Sequence, residues 1–147
     1  VLTFSDLITN RKTDYKFDLK KFTNINGKTG IYVQYAQVRA KKLQQSIAER
    51  KNEMENIVLS DVDKQLLSQL FMFGYFLEQS SSLNEPHHLA NYLYDISNSF
   101  NQFYEHEKLS EIKDINHLSS KFYLINLFLT TSENVMFCLG MKPVDKM

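Results

Sequence analysis

Four residues recur at helical spacing just after Gly30: Tyr32, Tyr35, Arg39 and Lys42. At about 100° per residue they share one face of a helix. Aromatic rings interleaved with fixed cations can stack unpaired bases and hold phosphates, which is the chemistry of single-stranded nucleic-acid binding. The adjoining face carries Ala36, Ala40, Leu43 and Ile47, a narrow apolar stripe whose small members let another helix approach closely. The plainer alternative is an amphipathic helix whose tyrosines pack at the rim of a core.

Other reactive side chains form weaker patterns. His87 and His88 are adjacent, with His106 and His117 far off, and this spacing is not that of a zinc site; no metal is expected. Asp61/Asp63 and Glu105/Glu107 are two apart on helices and therefore on different faces, without an evident partner for acid–base work. The single cysteine, Cys138, has apolar sequence neighbours, which make a thiol inert, and cannot form a disulfide within the chain. No Gly-rich phosphate loop is present, and no catalytic residues are assigned.

The elements that position the tyrosine–cation face are helices. In 147 residues there are only four glycines and two prolines, which disfavours a turn-rich β fold, and 43% apolar residues suffice for one core. Asn24–Gly27 reads as a turn, and Thr29 as the cap of a first helix from Gly30 to about Asn52. Ser60 caps a second helix, with Leu66, Leu70, Phe73 and Leu77 on its stripe, widened by Leu67 and Phe71. Gly74 within it is expected to permit a close helix contact, and Ser80–Glu85 to form a loop. A third helix opens at Pro86, carries Leu89, Leu93, Ile96, Phe100 and Phe103 inward, and ends near Lys108. Asn116 is expected to cap a fourth, running to about Leu139, with Gly140 and Pro143 as stop signals. The expected fold is all-α, an antiparallel bundle of about four main helices (residues 28–147) preceded by a short extended arm (residues 1–27). The chain begins inside a pattern at Val1 and is expected to be a piece of something longer.

Charge is zero overall but uneven. Residues 1–51 hold 11 Lys/Arg against 4 Asp/Glu, and residues 52–147 hold 6 against 13. The halves can attract each other, or confine a polyanion to one side. Neutrality argues against indiscriminate nucleic-acid binding. No run approaches the roughly 18 apolar residues of a membrane span. With one cysteine and no signal peptide at the start of this sequence, a cytoplasmic location is expected.

Lys28-Thr29-Gly30-Ile31-Tyr32-Val33-Gln34-Tyr35-Ala36-Gln37-Val38-Arg39-Ala40 resembles the Thr-Gly-Pro-Tyr-Leu-Gln-Tyr-Ala-His-Ala-Arg segment of arginyl-tRNA synthetases, class I enzymes. Ile31 stands for the family's proline and Gln37 for its histidine. Asp14-Tyr15-Lys16-Phe17-Asp18 is similar to the family's junction arm, and Glu85-Pro86-His87-His88-Leu89-Ala90-Asn91-Tyr92-Leu93 to its Glu-Pro-His-Arg-Leu-Ala-x-Tyr-Leu motif. Phe100-Asn101-Gln102-Phe103-Tyr104-Glu105 matches a Phe-Asn-x-Phe-Tyr-Glu signature, and the tail ends, as the family's does, in a methionine, Met147, after Lys146 in place of arginine.

This resemblance implies a C-terminal anticodon-binding domain that contacts the anticodon loop of arginine tRNA through Tyr32, Gln34, Tyr35, Arg39, Lys42, Tyr104 and Met147. Gln34 would meet a base edge or brace the helix junction; Arg39 and Lys42 would meet phosphates. Tyr104 reads equally as core or contact, and Phe100 and Phe103 as core, with Asn101 turned to solvent. Family signatures for ATP binding are absent, so ATP and Mg2+ are implied only for a catalytic domain that would precede this part and be its partner. A monomer binding neither DNA nor membrane is expected. The alternatives are the related domain of cysteinyl-tRNA synthetase or of the glycyl-tRNA synthetase β-subunit, or a helical protein-interaction module that binds no RNA.

Overall fold

The computed structural model describes residues 2–14, 18, 20, 24, 27–50 and 55–146. Among the described residues every regular element is helical: α1 (Leu2–Leu7), α2 (Gly30–Ile47), α3 (Asp61–Leu70), α4 (Phe73–Leu83), α5 (His87–His106), a 3-10 turn (Leu109–Glu111) and α6 (Ile115–Cys138).

Helix starts follow local chemistry. Thr29 Oγ1 accepts from the Tyr32 N–H at 3.2 Å and opens α2. Ser60 and Asp63 form a reciprocal capping box at the start of α3, Ser60 Oγ accepting from Asp63 N–H and Asp63 Oδ2 from Ser60 N–H. The fourth expected helix is capped by Asp114 rather than Asn116. Asn116 instead accepts from the Glu55 N–H at 3.1 Å. At the other end of α6, Gly140 takes φ +67°, donating to Phe137 while Met141 donates to Met136, the paired bonds of a Schellman stop.

Three expectations about extent change. α2 ends at Ile47, and Asn52 lies outside the described residues. Ser80–Leu83 is not loop but the last turn of α4, closed by Asn84 at φ +51°. The second expected helix is broken at Phe71–Met72 into α3 and α4. Tyr92, buried on α5, donates its hydroxyl to the Gln69 and Leu70 carbonyls at 3.0 and 3.1 Å, occupying acceptors that a continuous helix would have used. The break turns Phe71 and Leu77 outward instead of onto the core stripe. Gly74 makes no close helix contact, since a Cβ there would meet nothing within 4 Å.

The core is built on α5 and α6. Leu89, Leu93, Ile96, Phe100 and Phe103 are all buried, as their spacing predicts, and Phe100 stacks on Phe128 of α6 at 4.2 Å. Ala36, Ala40 and Ile47 of α2 are buried, with Leu43 packed beside them. Contacts pairing Phe100 with Phe128 and Glu107 with Lys121 run α5 against α6. Gln37–Ser132 and Gln44–Asn126 likewise run α2 against α6. Helices α2 and α5 therefore lie parallel, so that residue positions ascend together along both. The N-terminal residues are not an extended arm throughout: α1 is helical and buries Phe4 in the same core.

Candidate nucleic-acid interface

Because α2 and α5 run side by side in the same direction, the C-terminal half of α2 meets the C-terminal end of α5. Arg39 lies at that junction. Its guanidinium sits over the Tyr35 ring at 4.9 Å and over the Tyr104 ring at 4.1 Å. Its Nη1 donates to Asn101 Oδ1 at 3.0 Å and lies 3.7 Å from the Glu105 carboxylate. A cation held this way is preorganised, with part of its charge still in water. Tyr35 is 38% and Tyr104 36% exposed. Lys42, also exposed, completes a concavity of about 370 Å³ with Tyr35, Val38, Arg39, Leu43, Ser46 and Tyr104. Two rings, a clamped guanidinium and an ammonium thus face one solvent-open groove.

The remaining sequence candidates go elsewhere. Tyr32 is partly buried, its ring 5.3 Å from Tyr94 and its hydroxyl donating to Asn98 Oδ1 at 3.1 Å, so it packs at the rim. Of the two readings of Gln34, base-edge contact or structural brace, its geometry fits the brace. The residue is buried, its Nε2 donates to the Lys142 carbonyl at 2.8 Å, and its Oε1 accepts from the Val144 N–H at 3.0 Å. Both ends of its amide are spent on the chain's own tail. Lys41 reinforces that tail through Asp145 at 2.8 Å, which holds the Asp145 carboxyl below its ordinary range. Met147 lies outside the described residues, as do Tyr15 and Phe17 of the arm motif. Asn101 is not turned to solvent: it is buried and orients Arg39. Nothing in the spacing signalled this, because the partner is 62 residues away.

With this geometry in view, comparison with known proteins is direct. A family profile described as the DALR anticodon binding domain matches residues 33–147. The chain belongs to the DALR anticodon-binding domain family. An arginine–tRNA ligase of Alkaliphilus oremlandii is 32% identical over 149 residues, covering 99% of this chain and 25% of that protein. One from Hyphomonas neptunium is 39% identical over 104 residues, covering 70% of this chain and 18% of the relative. Among solved structures, Plasmodium falciparum arginyl-tRNA synthetase superposes with a TM-score of 0.81 at 27% identity, over 99% of this chain and 26% of that one. The Thermus thermophilus enzyme shares the fold, with a TM-score of 0.85 at 22% identity over 99% of this chain and 26% of that chain. The chain thus spans about a quarter of the length of the first of these relatives.

Two charged clusters of this anticodon-binding domain lie outside the groove. Lys121, fully buried, donates to Asp63 Oδ1 at 2.9 Å, lies 3.3 Å from Glu107, and sits over the Phe103 ring at 4.8 Å. His117 approaches both carboxylates, at 3.7 and 3.6 Å. Burial pushes the Asp63 carboxyl up, but the bonds from Lys121 and the Ser60 N–H outweigh it and hold Asp63 below its ordinary value. The ion-pair partner of Asp63, Lys121, comes from 58 residues downstream, beyond the reach of local spacing.

At the far end of α5, Glu85 gathers His87 and His88, with ligand-type atoms all within 4.8 Å of one another. Lys12 donates to the same carboxylate at 2.6 Å and lowers its pKa. Burial and the neighbouring His88 hold His87 below its usual value. Glu85 therefore ties the N-terminal segment to the bundle. Among the described residues no helix is long and apolar enough to cross a membrane. Cys138, expected among apolar neighbours, is exposed beside the likewise exposed Phe137, while Val135, Met136 and Leu139 turn into the core.

Proposed function

We propose that this chain is the anticodon-binding domain of an arginine–tRNA ligase and binds the unpaired loop of arginine tRNA in the groove between α2 and α5. The observation that carries the reading is the Arg39 guanidinium held between Tyr35 and Tyr104 beside the exposed Lys42. RNA loops are read by splaying bases onto aromatic rings, and every base has a face that can stack. Tyr35 and Tyr104 supply those rings. Lys42 and the exposed part of Arg39 meet phosphate. RNA is favoured over duplex DNA because the groove offers ring faces rather than a helix to enter a major groove.

Arginine is favoured over the cysteinyl and glycyl alternatives by the names of the relatives matched along nearly the whole chain. Activation of arginine with ATP and Mg2+ would belong to a catalytic part joined to this domain, in the cytoplasm where translation runs. One copy of the domain supplies the whole groove in this reading, as a monomer.

The test is binding of an arginine-tRNA anticodon stem–loop by filter retention or titration calorimetry. Tyr35→Ala, at an exposed position, should leave the fold intact and weaken binding by about 1–3 kcal/mol, the range for one lost stacking contact. Unchanged affinity in the folded variant would remove Tyr35 from the interface. Equal affinity for a cysteine- or glycine-tRNA stem–loop would remove the arginine assignment, and failure to bind any stem–loop would favour a protein-interaction module.

A further inference from the structure

The corner between α4 and α5 gathers side chains for which the groove has no use. His87 and His88 are adjacent in sequence, and the fold sets the Glu85 carboxylate beside both rings. Glu85 is fixed through its backbone. Its N–H donates to the Ser80 carbonyl at 3.0 Å, and its carbonyl accepts from the Ser80 hydroxyl at 3.0 Å. The same hydroxyl accepts from the Leu89 N–H at 3.1 Å, so one serine joins the end of α4 to the first turn of α5. Asn84, left-handed at φ +51°, turns the chain between them. His87 and His88 follow Pro86 in that first turn, with ring centroids 4.2 Å apart.

We propose that Glu85, His87 and His88 form a Zn2+ site of one carboxylate and two imidazoles, with a fourth position open to water. The two oxygens of Glu85 divide the work. Lys12 donates to Oε1 at 2.6 Å and leaves Oε2 to face the rings. His88 Nε2 lies 3.2 Å from that oxygen and His87 Nε2 4.0 Å. Ligand atoms about 2.0 Å from a tetrahedral zinc stand about 3.3 Å from one another. His88 and Glu85 are already at that spacing, and the His87 ring needs to close by less than about 1 Å. No hydrogen bond holds that ring from its other side, because His87 Nδ1 is buried without a partner.

The donor set chooses the metal. Two imidazole nitrogens and a single carboxylate suit zinc, whereas calcium and magnesium require more oxygens. The Glu85 and His87 side chains are only 11% and 15% exposed, which limits solvent screening of the metal's attraction to the carboxylate. His88, at 31%, leaves a way in. The Lys12 ammonium and the N-terminus of α5 both oppose a cation, so the site is weaker than a closed four-ligand one. It lies at the end of α5 away from the groove and stands or falls apart from the RNA reading.

Calorimetric titration of the chain with zinc chloride tests the site. One Zn2+ should bind per chain, and one equivalent should shift the imidazole nitrogen resonances of His87 and His88 but not of His106. His88→Ala, at a partly exposed position, should keep the fold and weaken binding at least about tenfold. Glu85→Gln should do the same; if it fails to fold, His88→Ala carries the test. His106→Ala, at the other end of α5, should change nothing. Lys12→Ala should tighten binding several-fold by removing a like charge beside the metal.

Absence of saturable binding would overturn the site. So would affinity that survives His88→Ala, or an equal loss in His106→Ala. Unchanged affinity in Lys12→Ala would place the metal away from Glu85 and overturn it as well.

Discussion

Phe103 and Tyr104 are neighbours on α5, and each has a cation over its ring, yet the two sites do opposite work. Lys121 over Phe103 is sealed in the core and locked to Asp63. Arg39 over Tyr104 is clamped from below by Asn101 and remains partly open to water. One residue of helical rotation separates a cation that can only stabilise from a cation that can also bind. Burial makes the difference. A sealed charge must be matched inside the protein, whereas a surface charge is left free to meet a ligand.

Removing the buried cation should give the largest effect. Lys121→Ala leaves Asp63 without its cationic partner and should cost about 3–5 kcal/mol of unfolding free energy in urea titration. A loss below about 1 kcal/mol would show that the cluster is not the stabilising member of the pair. The exposed site should respond in the other measurement. Tyr104→Ala should weaken stem–loop binding by about 1–3 kcal/mol while stability changes by less than about 1 kcal/mol. A large stability loss there would erase the contrast between the two rings.

Acid probes the buried site. The folded-state pKa of Asp63 is depressed below 3.8, so its contribution is intact above that value and is lost as pH falls through the lower folded value. Stability of the wild-type chain should therefore fall as pH drops below 3.8, and Asp63→Asn should flatten that fall while starting from a lower plateau. Parallel profiles would remove Asp63 as a source of acid sensitivity. The smallest effect belongs to the groove's outermost cation. Lys42→Ala should reduce affinity a few-fold and lower the salt slope by about 0.7, with no change in melting temperature. An unchanged slope would place Lys42 away from phosphate.

Much of this was legible from local pattern. The apolar stripe of α5, the alanine face of α2, the Thr29 and Ser60 caps and the Gly140 stop all follow from side chains within a few residues of one another. The sequence offered Tyr32, Tyr35, Arg39 and Lys42 as one face; the groove between α2 and α5 brings together the last three, while Tyr32 packs at the rim against Tyr94. Spacing alone put Tyr104 in the core and the family resemblance offered it as a contact residue; its exposure places it at the surface. The break at Phe71–Met72 was hidden because its cause is a phenol on another helix.

By itself the sequence determined helices α2, α5 and α6 and the faces that α2 and α5 turn inward, because hydrophobic periodicity and capping act over one or two turns of chain. Only the tertiary structure decided which polar groups are already spent. Gln34 is taken by the tail, Asn101 by Arg39, Asp63 by Lys121 and Glu85 by Lys12, each across 58 residues or more. Those partners meet only when helices pack, and a buried polar group must find one. What remains open, two rings and their cations, is left by that long-range matching.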